Sequence, residues 1–496
     1  MTFPRQDHKQ LYRKGSRGIR DIAGPLLFVE NMTGVGYGEL VTVESGADAR
    51  LGRVIQFKDD LCVVQIFDDT VGLEAGRTVW MEHDVAKVGV GEALRGRVLN
   101  GRGQPVGGKK LYGVKEFLPV DGSPINPADR TTPNGVIETG ISALDLMNTL
   151  ARGQKLPVFA GPGLPACEIA ARIAAGATIP GKDDEFLVVF AAIGVTGREA
   201  DLLMEAFERD GAADGGVFVL NTAGDPLAER LLTPRVALTI AEYFAFVRGY
   251  DVLVVMADML HYCEALREIG TARGDIAGRG GYPVGMYSDL AQIYERSGCV
   301  AGRPGSVTQL PVVTMPNDDI AHPVADLTGQ ITDGQLVLDR RLHAKGVFPP
   351  LDVTASLSRP MNKGIGRGKT FDSHRVLAEQ LYAAYAKARE LSFDLGFNLG
   401  FNSRFDPRSF APEGGLSDLE KRCLRFGDVF EASFVDQGRG RRFARRTLAQ
   451  SEAKAWEALS ELPIEELSRL PRKLLERKIS VGAALPKDLE NLEKRI

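Results

Sequence analysis

The chain has 496 residues, 44% hydrophobic and 25% charged, enough for about three domains of ordinary size and too globular in composition for wholesale disorder. A formal net charge of −4 argues against nucleic acid as the main partner, because a phosphate-binding surface announces itself as a basic excess. Five scattered cysteines (Cys62, Cys167, Cys263, Cys299, Cys423) without a C-x-x-C read as reduced thiols, and the basic first thirty residues (Arg5, Lys9, Arg13, Lys14, Arg17, Arg20) hold no continuous apolar segment, so neither a secretory leader nor a membrane span is expected.

From Leu26 to Met81 short β-branched runs recur, such as Leu26-Leu-Phe-Val, Gly38-Glu-Leu-Val-Thr-Val and Leu61-Cys-Val-Val-Gln-Ile-Phe, punctuated by glycines and by Asp59-Asp60 and Asp68-Asp69. Regularly spaced short strands predict a small antiparallel barrel or sandwich. From about Gly91 to Gly368 strands (186–193, 217–220, 251–256) alternate with helical stretches (198–209 and 234–247, with Pro234 in a first turn), which predicts a parallel sheet covered on both faces. After Gly364-Ile-Gly-Arg-Gly the pattern is helical: 374–391 carries Leu377, Leu381, Ala384, Ala388 and Leu391 on one face. Ser417-Asp-Leu-Glu420 is a capping-box start for a stripe of Leu419, Cys423, Phe426 and Phe430; 447–459 follows with Leu448, Trp456 and Leu459, and Pro463 and Pro471 mark further first turns. The fold class is therefore a multidomain α/β protein: an N-terminal β-barrel (1–90), a central P-loop-type parallel α/β domain (91–368) and a C-terminal helical bundle (369–496). The cluster Arg439, Arg441, Arg442, Arg445 and Arg446 reads first as a solvated face, then as a surface for an acidic protein partner, and last as a nucleic-acid contact, since the only interleaved aromatic is Phe443.

Residues 161–168, Gly-Pro-Gly-Leu-Pro-Ala-Cys-Glu, follow the apolar run Leu156-Pro-Val-Phe-Ala and precede a small-residue helix, where a phosphate-cradling loop belongs. The working pattern, G-x-x-x-x-G-K-[ST], needs a lysine for the β/γ-phosphates and a hydroxyl for Mg²⁺. Here the final glycine is Ala166, the lysine is Cys167 and the hydroxyl residue is Glu168, while Pro162 and Pro165 remove two N–H donors. A neutral thiol supplies no cation, and a carboxylate at a helix start takes up the field that phosphate would use. Taken alone, the loop reads as an ordinary Gly/Pro turn joining strand to helix. Paired with Asp251-Val-Leu-Val-Val-Met-Ala-Asp258, a buried-strand pattern that ends in a Mg²⁺-side carboxylate, it reads as a nucleotide fold that has lost its chemistry.

Long, specific stretches run across nearly the whole chain: Tyr37-Gly-Glu-Leu, Gly122-Ser-Pro-Ile-Asn-Pro, Glu138-Thr-Gly-Ile-Ser-Ala-Leu-Asp, Arg152-Gly-Gln-Lys-Leu-Pro, Tyr262-Cys-Glu-Ala-Leu-Arg-Glu, Met286-Tyr-Ser-Asp-Leu-Ala and Met315-Pro-Asn-Asp-Asp-Ile-Ala-His-Pro. Together they resemble the B subunit of V-type and archaeal-type rotary ATPases. The resemblance implies a non-catalytic subunit that alternates with catalytic A subunits in a hexameric ring, contacts central and peripheral stalk subunits, binds no nucleic acid, and meets the membrane only through the complex, as part of a cytoplasmic head. It implies ATP or ADP with Mg²⁺ at the A/B interface and coupling of ATP hydrolysis or synthesis to proton or sodium transport. Ser356-Leu-Ser-Arg359-Pro-Met-Asn matches the segment whose arginine reaches the neighbouring A-subunit nucleotide, so Arg359 is the expected arginine finger. Gly161, Gly163, Glu168 and Asp258 are the expected nucleotide-side residues of this chain's own loop; Gly163-Leu-Pro165 and Glu168 match the family, whereas Ala166 and Cys167 depart from it. Ile331-Thr-Asp-Gly-Gln agrees with an interface segment, and Glu199 receives no general-base role. The alternative, an autonomous hexameric P-loop ATPase of export or nucleic-acid translocation, needs a Lys and a Ser/Thr at positions 167 and 168, and the acidic residues of the barrel (Asp59, Asp60, Asp68, Asp69, Glu74, Glu82) oppose the translocase form.

Overall fold

The computed structural model describes residues 14–45, 48–58, 60–108, 111–133, 135–180, 185–209, 215–398 and 417–462. The expectations placed on Arg5, Lys9, Arg13, Asp59, Pro463 and Pro471 lie outside them, as does the part of the expected helical bundle after residue 462. Two compact units emerge, one of Met1–Thr132, Ala166–Ala175 and Asp184–Thr332, the other of Pro133–Pro165, Gly176–Asp183 and Asp333–Ile496. Among the described residues no helix is long and apolar enough to cross a membrane.

In the first unit the β-branched runs form seven antiparallel strands: Gly15–Ser16, Ile19–Ala23, Leu26–Glu30, Glu39–Ser45, Asp48–Lys58, Leu61–Ile66 and Val79–Val85. Gly15–Ser16 and Ile19–Ala23 lie at opposite ends of the strand order, yet only Arg17 and Gly18 separate them in sequence. The sheet must therefore curl until its edges meet, and the Glu30 N–H donates to the Gly18 carbonyl at 2.7 Å at that seam. Alternate residues face inward, as period-2 geometry demands: Leu27 and Val29, Val41 and Val43, Cys62, Val64 and Ile66, Val79 and Met81.

The same unit holds a parallel sheet in the order Ser306–Thr314, Asp251–Ala257, Phe186–Val195, Val217–Thr222, Arg97–Asn100. Every residue of Asp251–Ala257 is buried, which its unbroken apolar run anticipates. One helix differs from expectation. Pro234 lies inside Leu227–Glu242 rather than in a first turn. Proline removes one helical hydrogen bond wherever it sits past the first turn; this helix is buried along nearly its whole length, so packing outweighs that loss. Next to it Arg235 donates to Asp289 at 2.6 Å.

The second unit pairs Val158–Ala160 in parallel with Gly334–Val337, which pairs antiparallel with Leu357–Ser358. Its long helices are His374–Asn398, Asp418–Val429 and Leu448–Leu459. Both N-terminal capping boxes form, Ser417 with Glu420 and Thr447 with Gln450. Two stripe assignments need correction. Leu419 is exposed, and Tyr385 takes the buried place that Ala384 and Leu391 only partly fill. Tyr385 packs 4.7 Å from the Phe430 ring and donates to Glu431 at 2.8 Å, so an aromatic with a polar handle stands on the buried face beside Leu381 and Ala388. In the arginine cluster Arg439, Arg441, Arg442 and Arg445 are exposed, as a solvated face requires, and Arg446 departs from it. Arg446, half-buried, donates to the carbonyls of Phe434 (2.9 Å) and Asp436 (3.0 Å), and Arg439 lies 5.8 Å from the Phe348 ring centre. These arginines bind carbonyls and a ring because the local chain bends back on itself, a fact no composition count carries.

At the start of His374–Asn398, His374 is buried, with Nε2 2.9 Å from the Leu146 carbonyl and Nδ1 3.1 Å from Thr370 Oγ1. Burial pushes its pKa down to about 4, while the Leu146 hydrogen bond acts weakly the other way. The imidazole is thus neutral in the fold and protonates in the unfolded chain near pH ~6.5. Stability from this group is fully present above that value and is lost as pH falls toward the folded pKa. Thermal melts of the isolated chain should show the melting temperature falling more steeply between about pH 7 and pH 4.5 than it does for His374→Gln; parallel curves would count against this assignment.

Candidate functional site

The loop after Val158–Ala160 begins with a turn closed by the Leu164 N–H on the Gly161 carbonyl (3.1 Å). Gly163 sits at φ +81 with open space where a side chain would go, so glycine is required there for backbone conformation and not for room. The Pro162 carbonyl accepts from Arg340 at 2.9 Å. These residues and Arg359 belong to the second unit, whereas the helix Ala166–Gly176 up to Ala175, with Cys167 and Glu168, belongs with Asp258 to the first.

Cys167 is half-buried, and its thiol is pushed up to about 12, first by desolvation and then by the negative charges of Asp258 and Glu199. It stays protonated and neutral at pH 7. Glu168 lies in the first helical turn with its carboxylate 4.0 Å from the buried guanidinium of Arg172, one turn on. Asp258 is buried at the C-terminal end of the central strand, where it caps Met259–Arg273 by accepting the Leu260 N–H (2.8 Å) and also accepts the Thr314 N–H at 3.1 Å. Desolvation raises its pKa against those bonds. Glu199 accepts from the Thr196 N–H and hydroxyl, both at 2.8 Å, and so serves the start of its own helix. A neutral thiol, a carboxylate and two prolines do not fit a Mg²⁺-triphosphate: the donor set supplies neither the cation nor the metal-binding hydroxyl. This chain's own loop therefore carries no phosphoryl chemistry.

Arg359 stands elsewhere, exposed, directly after the short strand Leu357–Ser358 and one residue before Pro360, the N-cap of Met361–Gly364. Its N–H donates to the Asp333 carbonyl at 3.0 Å. Asp333 is in turn clipped to Lys155: its carboxylate accepts the Lys155 N–H (2.9 Å) and its own N–H donates to the Lys155 carbonyl (2.8 Å). Beneath, fully buried Gln154 accepts the Ala151 N–H (2.9 Å) and donates to Ser358 Oγ (3.0 Å), whose hydroxyl donates to the Thr149 carbonyl (2.8 Å). Arg152-Gly-Gln-Lys and Asp333-Gly334, which in the sequence are two separate points of resemblance, thus meet under one exposed guanidinium. The available signal was a polar Gln154 at the edge of an apolar run; its partner, 204 residues away, was not legible.

Three family models match the chain: the nucleotide-binding domain of the ATP synthase alpha/beta family at 140–358, the beta-barrel domain of that family at 19–80, and the C-terminal domain of V and A type ATP synthase at 413–479. A V-type ATP synthase beta chain of Thermus thermophilus is 47% identical over 471 residues, covering 93% of this chain and 95% of the relative. A B subunit of the A-type ATP synthase of Methanospirillum hungatei is 45% identical over 466 residues, 94% and 98% of the two chains. Among solved structures, NeqB, an ATP synthase component from Nanoarcheaum equitans, superposes with a TM-score of 0.67 at 34% identity, covering 90% of this chain and all of that one.

The strand pairing under Arg359 tolerates only glycine at 334. Gly334 has φ +152, and a Cβ there would lie 2.1 Å from the Leu357 carbonyl oxygen. Gly334→Ala should lower stability by roughly 2–4 kcal/mol, read as the urea midpoint of the isolated chain; an unchanged midpoint would mean that the strand shifts without cost.

Proposed function

This chain belongs to the B-subunit family of V/A-type rotary ATP synthases, as a non-catalytic subunit with a nucleotide-binding domain in an enzyme of ATP synthesis and ion transport, and we propose that it completes, through Arg359, the ATP sites of its catalytic neighbours. It alternates with A subunits in a hexamer, touches central and peripheral stalk subunits, and rests on the membrane from the cytoplasmic side through the rest of the complex. ATP or ADP with Mg²⁺ lies at the A/B boundary, its phosphates gripped by the A subunit; any nucleotide-side role of Gly161, Gly163, Glu168 and Asp258 is confined to shaping this chain's own silent loop. The division at residues 90 and 368 into barrel, nucleotide-type domain and helical domain belongs to the same reading.

The observation that carries it is the exposed Arg359 on an anchored strand, together with a loop chemistry that cannot hold a triphosphate. A guanidinium is always charged and presents its donors in a planar fork suited to phosphoryl oxygens. As charge spreads over the equatorial oxygens of the transferring phosphoryl, an arginine placed in trans offsets it, a contribution on the order of 10³–10⁵ in rate for such fingers.

In a reconstituted complex, Arg359→Ala should assemble normally while turnover falls by at least about 10³, and Arg359→Lys should restore only part of it. Wild-type turnover in the alanine variant would refute the finger. The isolated chain should hydrolyse no ATP, and placing Lys at 167 with Thr at 168 should raise its nucleotide affinity in calorimetric titration; an unchanged affinity would move the cause of silence to Pro162 and Pro165.

A further inference from the structure

We propose that Gln154 and Ser358 are positioning residues for Arg359: a buried amide–hydroxyl pair that sets where the exposed guanidinium can reach. The proposal rests on the reading of Arg359 as a finger in trans.

A finger acts only if its backbone is held, since a displacement of about 1 Å costs on the order of 10² in rate. The strand that delivers Arg359 is two residues long and pairs with its neighbour only at Gly334↔Ser358 and Gln335↔Leu357. So short a ladder cannot hold a register by itself. The missing constraint is supplied by side chains. Gln154 has no exposed surface, and its orientation is determined by its partners: Oε1 takes the Ala151 N–H at 2.9 Å, which turns Nε2 toward Ser358 Oγ at 3.0 Å. The single hydroxyl hydrogen of Ser358 goes to the Thr149 carbonyl at 2.8 Å in preference to Gln154 Oε1 at 3.3 Å, leaving its lone pair for the amide. Nε2 also approaches, at 3.4 Å, the Asp333 carbonyl that accepts the Arg359 N–H. Both residues on the N-terminal side of the guanidinium, Asp333 across the ladder and Ser358 along the chain, are thereby referred to the same buried amide. The buried amide satisfies its two donors on the two groups that fix one surface residue.

The test uses the assembled complex and steady-state ATP hydrolysis. Ser358→Ala should lower kcat by about 10–10² while leaving the KM for ATP within about twofold, and Ser358→Thr, which keeps the hydroxyl, should recover most of the loss. Gln154→Leu should behave as Ser358→Ala does. In Arg359→Ala the Ser358→Ala change should have no further effect, because the hydroxyl acts through the guanidinium. Normal kcat in Ser358→Ala, with Arg359→Ala slow, overturns the positioning role and leaves the finger standing. Normal kcat in Arg359→Ala removes the finger and this proposal together. Losses that multiply in the double variant show that Ser358 acts on something other than Arg359 and also overturn it. If Gln154→Leu does not assemble, the Ser358→Ala and Ser358→Thr pair decides.

Discussion

Asp333 receives the Arg359 N–H on its carbonyl and the Lys155 N–H on its carboxylate, and that double acceptance is the constraint on which the placing of Arg359 depends. It joins the strand leading to the exposed arginine with the turn that leads into Val158–Ala160 and the silent loop. Gly334, the next residue, lets the two strands approach so closely that no other side chain fits. An exposed arginine on a loose loop would be a surface charge like many others. Anchored at its own backbone and at the residue before it, the same side chain has a defined range of reach.

The chain's electrostatics divide along the same line. Where a catalytic loop would carry a lysine, there is a thiol held protonated by burial and by two carboxylates, followed by a glutamate already facing Arg172. Asp258, the carboxylate at the end of the central strand, is occupied in capping the helix after it and in accepting from Thr314. No cation is offered to a phosphate from within this loop.

Most of the fold was legible because its signals are local. Alternation in Val41 and Val43 or Val79 and Met81 is a property of neighbouring residues, and the barrel follows from it. The seven buried residues of Asp251–Ala257 read as an unbroken run, and the cap at Ser417 is a four-residue motif that formed as written. The departures depend on how chain segments pack together, which a local pattern does not carry. Pro234 is tolerated because its helix is buried nearly from end to end, Tyr385 displaces Ala384 and Leu391 because Phe430 and Glu431 are there to meet it, and Arg446 turns inward because the carbonyls of Phe434 and Asp436 face it.

The sequence by itself determined the layers of the fold, the loss of the phosphate-binding cation at Cys167 and Glu168, and the identity of the arginine at 359, since each is written in residue type and short spacing. Only the tertiary structure decided what holds that arginine. Gln154 meets Ser358 across 204 residues, and Asp333 meets Lys155 across 178, through hydrogen bonds that need distance and direction to within a few tenths of an ångström. Spacing along a chain carries no such information; it arises when two segments are packed side by side and every buried donor must find an acceptor.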